Sequence, residues 1–258
     1  APHLVFAGRV KQDTHLPVFH AARIPDVATA RHAIQAGLLD MVGMTRAHMA
    51  DPHVVRKIIE GREDDIRPCV GATYCLDRIY QAGDALCIHN AATGRELSMP
   101  HDIPVAQTRR KIVVVGAGPA GLVAARVAAE RGHDVVVFEA QSDPGGQVRL
   151  AAQTPRRREM ISIIDWRMAQ CAARDVRFEF NTWAEAEDIL AESPDVAIIA
   201  TGGLPNIELF ESGHDAQHVI SAWDLIAGDV HPAQHVLIYD ESGDHPALQA
   251  AEIAANAG

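Results

Sequence analysis

Lys111 to Glu139, KIVVVGAGPAGLVAARVAAERGHDVVVFE, constrains the chain more than any other stretch. Ile112 to Val115 are consecutive apolar β-formers that run into Gly116-Ala117-Gly118-Pro119-Ala120-Gly121. An Ala-rich helical segment extends to Arg131, Gly132-His133 breaks it, and Val135 to Phe138 read as a second buried strand ending at Glu139. Strand, glycine-rich turn, helix and strand is the order a dinucleotide site requires. Gly116 allows the tight turn, Gly118 lets backbone N–H groups approach a pyrophosphate, and Gly121 lets helix and strand pack closely. Pro119 and Ala120 stand at the helix start, whose partial positive charge faces the anion. Glu139, 23 residues after Gly116, can accept both hydroxyls of an adenosine ribose. A carboxylate there repels a 2′-phosphate, which favours FAD, ADP or NAD over NADP. A bare GxGxxG string can merely turn a chain; here both strands, the helix and the acid stand in register with it.

The 258 residues suffice for one large or two ordinary domains, and 48% apolar with 22% charged residues is a globular composition. A net charge of −11 argues against a nucleic-acid or anionic-membrane surface. Arg156-Arg157-Arg158 is a short basic run and reads as a solvated loop. No apolar window reaches the ~18 residues of a membrane span, and the first residues, APHLVFAGRV, lack a signal-peptide layout. Four cysteines, three of them within Cys69 to Cys87 and the fourth at Cys171, do not form a secreted disulfide framework. A reducing cytoplasm is the expected compartment. The start without Met and the end at Asn256-Ala257-Gly258, just past a helix, suggest a piece of something longer.

Before the glycine turn, the pattern alternates. Leu16 to Ile24 holds a short strand, Pro25-Asp26 opens a helix with Val27, Ala30 and Ile34 on its inner face, and Gly37 closes it. Leu38 to Met44 is a second short strand. Asp51-Pro52 then caps a helix with Val55, Ile58 and Ile59 inward, ending at Gly61. Two βα units cannot close a barrel or cover both faces of a parallel sheet. They read as the last two units of a barrel whose earlier strands lie before Ala1, and such a piece by itself is expected to be poorly soluble. Arg23 follows the first strand, Thr45 and Arg46 the second. Loops after strands seven and eight are where such barrels hold a phosphate, and Arg offers a fork of donors suited to its oxygens. Surface salt bridges explain the two arginines equally well.

Ile66 to Glu96 carries Cys69, Cys75 and Cys87 among Gly71, Gly83 and Gly94, with little periodicity. Thiolates gathered on an irregular loop suit an iron–sulfur cluster. The four-ligand spacing expects a cysteine where Ala72 stands, and small buried thiols packed with Tyr74 and Ile79 are the alternative. Leu97 to Arg110, with two prolines, is the expected linker. Beyond Glu139, Asp143 to Gln147 forms a second tight turn. Met160 to Cys171 reads as a helix, Val176 to Phe180 as a strand, and Asp188 to Glu192 as a turn or short helix. Val196 to Ala200 is read as a buried strand that brings Thr201-Gly202-Gly203 beside the cofactor. Val236 to Asp240 opens another strand, followed by a helix from Pro246 to Asn256. Glu241-Ser242-Gly243-Asp244 between them is a poor phosphate turn, with one glycine.

Three blocks of the sequence resemble a known family. They are AARIPD with VGMTRAHMADP, IRPCVGATYCLDRIY with CIHNAATGRE, and VVVGAGPAGLVAARVAAERGHDVVVFEA with GGQ. In this order they are similar to the flavin and iron–sulfur oxidoreductases of the old yellow enzyme group, which includes 2,4-dienoyl-CoA reductase and trimethylamine dehydrogenase. CVGATYCLDRIY and VISAWDLIAG are most similar to members that demethylate N-methylated amino acids such as dimethylglycine or N-methylproline. The resemblance implies an α/β chain in which residues 1–65 are the last two βα units of an FMN-binding (β/α)₈ TIM barrel. It makes 66–96 an iron–sulfur loop, 97–110 a linker and 111–258 an incomplete Rossmann-like FAD/ADP-binding domain, with a further nucleotide domain starting near 235. It places the FMN phosphate on Arg23, Thr45 and Arg46, a 4Fe–4S cluster on Cys69, Cys75 and Cys87, and the adenine dinucleotide on Gly116, Gly118, Pro119, Ala120, Gly121, Glu139 and Gln147. Ala72 departs from the family's second cysteine. The cluster then has an open or non-Cys site, a rearranged ligand set, or is absent.

The resemblance further implies a small amine or enoyl substrate, an electron-transfer flavoprotein or NAD(P)H as redox partner, and allows a homo-oligomer. Its substrate-side Tyr and His would lie before Ala1, so no catalytic acid or base is named on this chain. His15, His20 and His48 are expected to be structural. Three functions are in play. One is oxidative N-demethylation through FMN and the cluster; a second is NAD(P)H-driven enoate or dienoyl reduction, discriminated by a hydride test with NADH and NADPH. The third is a non-catalytic nucleotide-binding electron-transfer module, which coding sequence upstream of Ala1 would dismiss.

Overall fold

The computed structural model describes residues 2–21, 23–206 and 218–257. The chain divides into two compact units, Ala1–Val105 and Ala106–Gly258.

In the first unit, α1 (Leu4–Gln12) precedes β1 (Phe19–His20), α2 (Val27–Gln35), β2 (Met41–Val42), α3 (Thr45–Ala50) and α4 (Val54–Ile59). β1 and β2 pair in parallel, Phe19 with Met41 and His20 with Val42. Asp26 caps α2 by accepting the Thr29 N–H at 2.7 Å. The apolar centre gathers Leu4, Ala7, Ile24, Ala30, Ala33 and Leu39. Three expectations are corrected here. Each strand is two residues long, because pairing stops where the chain bends toward the next helix; Ala22, inside the first expected strand, lies outside the described residues. The inner face of α2 is Ala30 and Ala33, while Ile34 is exposed. In α4, Pro52 and His53 form a turn before the helix, so its first residue, Val54, is the buried one and Val55 and Ile59 face solvent.

A further helix, α5 (Tyr74–Tyr80), lies in the cysteine segment expected to be irregular. Its Tyr74, Ile79 and Tyr80 are exposed, so they form no core around the thiols.

The second unit is a four-stranded parallel sheet in the order β5-β4-β3-β6. In chain order its elements are β3 (Lys111–Val115), α6 (Pro119–Glu130), β4 (Asp134–Phe138), α7 (Gln147–Ala151), α8 (Ser162–Ala172), β5 (Arg177–Glu179), α9 (Ala186–Ala191), β6 (Val196–Ile199), α10 (Ala222–Ala227) and α11 (His245–Asn256). β3 pairs Val113 with Val136 of β4 and with Ala197 of β6. One face of the sheet packs Val113, Val115, Val136 and Phe138 against Ala184 and Ile189. The other receives α6, whose Gly121 stands directly over Val114. α8 lies beside α6, with the Arg126 guanidinium 5.6 Å above the Trp166 ring and the Cys171 thiol directed at the Leu122 carbonyl. Helices on both faces of a parallel sheet are the reason its central strands are continuous apolar runs.

β6 is an edge strand of the sheet, not a buried one: Val196 and Ile199 are exposed. An apolar run alone does not separate central from edge position. Residues 236–240 form no strand; Leu237 and Tyr239 are exposed, and no strand among the described residues pairs with them. α10 and α11 pack through Leu225, Ile226 and Ala250, with Leu150 of α7 against them.

Candidate functional site

In the second unit, the glycine turn separates packing glycines from an open one. Gly116 has φ +103, and a Cβ on it would press into the Ala200 carbonyl at the end of β6. A Cβ on Gly121 would strike the carbonyl oxygen of Gly116. Gly118 differs. It caps α6 in an extended conformation, and a Cβ there would meet nothing within 4 Å. Pro119 and Ala120 follow as the first turn of α6.

Around this space the chain converges. The Glu139 carboxylate accepts the Ala117 N–H at 2.6 Å and the Gln141 N–H at 2.9 Å. Gly145, at φ +127, donates its N–H to the Ala117 carbonyl at 2.9 Å. The Gln147 side-chain amide donates to the Gly203 carbonyl at 3.2 Å. Gly116 to Gly121, Glu139, Gln147 and Gly202-Gly203 thus share the carboxyl edge of β3, β4 and β6. Oxygens with two acceptor sites keep one for a ligand after taking a backbone N–H.

In the first unit, two hollows adjoin. The first is lined by Arg23, Gly43, Met44, Thr45, Arg46 and Cys69 at the carboxyl ends of β1 and β2. The second is lined by Cys69, Cys75 and Cys87 together with Arg46, Ala72 and His89. Arg46 and Cys69 line both. Burial pushes the Cys75 thiol above its ordinary range, with Cys69 and Cys87 adding to the rise, while the Leu76 N–H and Arg46 pull the other way. Among the described residues, no three His, Cys, Asp or Glu side chains converge closely enough to hold one metal ion; these thiols ring a larger space. They are half-buried, whereas Cys171 is wholly buried and its thiol is pushed up to about 11. Cys171 is the packing cysteine.

Sequence reasoning missed what positions this loop. Arg23 has a left-handed backbone at φ +54, which costs on the order of 1 kcal/mol, and its guanidinium lies where any Cβ on Gly71 would fall. The buried Asp51 carboxylate accepts from Lys57 at 2.5 Å, from the Arg67 N–H at 2.9 Å and from the His53 N–H at 3.0 Å. The Met49 carbonyl accepts from Asn90 at 3.0 Å and Thr93 at 2.6 Å. These bonds tie both ends of the cysteine segment to α3 and α4. Buried Asn90 and Thr93, polar residues just past Cys87, were the available signal. His15 and His48 are exposed, and neither they nor His20 lines either hollow.

Residues 114–166 match the NAD(P)-binding Rossmann-like domain family. Over all 258 residues the chain is 71% identical to a probable N-methylproline demethylase of Rhizobium meliloti (strain 1021), spanning 38% of that protein. It is 49% identical, again over its whole length, to a multifunctional alkene reductase/demethylase of old yellow enzyme type from Caballeronia cordobensis, spanning 37% of it. The chain spans less than two fifths of the length of these curated relatives. A solved structure, the 6-hydroxypseudooxynicotine amine oxidase of Pseudomonas geniculata N1, superposes with TM-score 0.92 over 99% of this chain and 40% of its own, at 30% identity. The similarity therefore covers both units, well beyond the stretch matched by the Rossmann-like domain.

Proposed function

We propose that this chain is the cofactor-bearing part of a flavin- and iron–sulfur-dependent oxidoreductase that removes an N-methyl group oxidatively from a small N-methylated amino acid or amine. In this reading the first unit supplies the last two βα units of an FMN-binding barrel and the cluster loop, and the second holds FAD or ADP. The observation that carries it is the pair of adjoining hollows, one with Arg23, Thr45 and Arg46, the other with Cys69, Cys75 and Cys87, sharing Arg46 and Cys69. Soft thiolates are the donors an iron–sulfur cluster takes, and the guanidinium forks suit a flavin phosphate. The open space at Gly118 and the remaining acceptor capacity of Glu139 suit a pyrophosphate and an adenosine ribose. The relatives named as demethylases support this chemistry over a non-catalytic module.

A flavin held by Arg23, Thr45 and Arg46 would supply hydride acceptance from a carbon beside an amine nitrogen, and a cluster held by Cys69, Cys75 and Cys87 would supply one-electron transfer to an acceptor. The chain's own part is placement. Arg23 and Arg46 would hold the phosphate end, Cys69, which lines both hollows, would be a cluster ligand, and Gly71 leaves room for Arg23. The second relative's name also carries alkene reduction, which runs electrons from NAD(P)H to an enoyl substrate. NADH, NADPH and N-methylproline offered separately discriminate the two by which one bleaches the flavin.

The deciding measurement is iron, acid-labile sulfide and flavin per chain, on anaerobically purified protein at its relatives' full length. About four irons with flavin present are expected. Flavin without iron overturns the relay and leaves Cys69, Cys75 and Cys87 as packing residues.

A further inference from the structure

We propose that His89 is the fourth protein ligand of the cluster, replacing the cysteine that is missing at Ala72; this rests on the iron–sulfur reading above. Ala72 lines the thiol hollow with a methyl group that carries no donor. Three thiolates alone leave one iron of a four-iron cluster without a protein ligand. His89, two residues after Cys87, lines the same hollow and is 4% exposed.

The state of its ring follows from its partner. Nδ1 lies 3.0 Å from the carbonyl oxygen of Pro68, the residue before Cys69. A carbonyl oxygen can only accept, so Nδ1 carries the proton, and in the neutral ring the basic lone pair belongs to Nε2. Metal-bound histidines are held in this way, donating the second ring N–H to a backbone carbonyl that fixes tautomer and orientation. The backbone beyond His89 is itself fixed, since Asn90 and Thr93 both donate to the Met49 carbonyl. Of the other polar side chains on the hollow, Arg46 has no lone pair for a metal, the exposed Thr73 donates its hydroxyl to the Ala72 carbonyl, and Tyr74 is 39% exposed. Histidine does replace cysteine on iron in another cluster class, where it raises the reduction potential.

The test uses the protein at its relatives' full length, purified anaerobically and reduced chemically, with iron counted on the same sample. Pulsed electron-nuclear resonance of the reduced cluster is expected to give a nitrogen coupling larger than backbone amides produce. In protein grown on ¹⁵N-histidine that coupling should change to the ¹⁵N pattern, a readout that needs no mutation. His89→Ala should lose the coupling together with part of the iron. His89→Ala combined with Ala72→Cys should restore the iron without the coupling, at a lower reduction potential. Four irons with no histidine coupling overturn the proposal, as does a coupling that survives His89→Ala. Absence of iron sinks the cluster reading itself, and the ligand assignment with it.

Discussion

Single methyl groups at two glycines distinguish binding from packing in the turn at 116–121. A Cβ on Gly118 enters open space with φ at −70, so Gly118→Ala should leave stability within about 0.5 kcal/mol of the parent. It should nonetheless weaken adenine-nucleotide binding by about tenfold, ~1.4 kcal/mol. Gly121→Ala drives its methyl into the Gly116 carbonyl and should destabilise by about 1–3 kcal/mol. Denaturant melts and a nucleotide titration on both variants check this; equal effects on both quantities would contradict it. The packing roles of Gly116 and Gly121 were legible in the sequence because both act within one strand–turn–helix unit. Gly71 was not, because its reason is the Arg23 guanidinium, 48 residues away in the chain. Arg46 belongs to both hollows, and Arg46→Ala should lower flavin retention while the fold persists. Unchanged flavin content would remove it from the phosphate site.

At the scale of elements, the Asp51 carboxylate joins α4 to the cysteine segment. Burial works to raise its pKa, yet the bonds from Lys57, the Arg67 N–H and the His53 N–H outweigh that and hold it below the usual carboxylate range. A group lowered on folding stabilises above its unfolded pKa of about 3.9, and the contribution fades as pH falls through the folded value. Asp51→Asn leaves the partly buried Lys57 without its counter-charge and should cost on the order of 3 kcal/mol near neutrality. The gap between parent and variant should close as pH drops below about 4. Melts across that range decide; a gap independent of pH would mean the carboxylate charge is immaterial. The Asp51-Pro52 pair was legible as a helix start, but the two-residue turn that follows was not, and so the inward positions moved to Val54. α5 escaped notice because its apolar residues form no inward stripe; Leu76, Ile79 and Tyr80 are exposed.

For the whole molecule, the parallel sheet of the second unit was readable because strands buried on both faces are apolar throughout, while the edge position of β6 depends on what pairs beside it. No helix among the described residues is long and apolar enough to cross a membrane. In the first unit Val5, Phe6, Leu16, Phe19 and Met41 are all more than half exposed, more apolar surface than a monomer leaves in water without a task. The 258-residue span by itself should therefore self-associate, read by light scattering; a monodisperse product with one cooperative melt would contradict this. The wall formed by Arg46 and Cys69 between the two hollows carries one more consequence. Occupants of adjoining spaces that share residues are linked by a single coupling free energy, and that coupling is reciprocal. Whatever an anion held by Arg46 adds to retention of iron on Cys69, iron on Cys69 must return to the anion, so the cofactors should be lost together during dialysis.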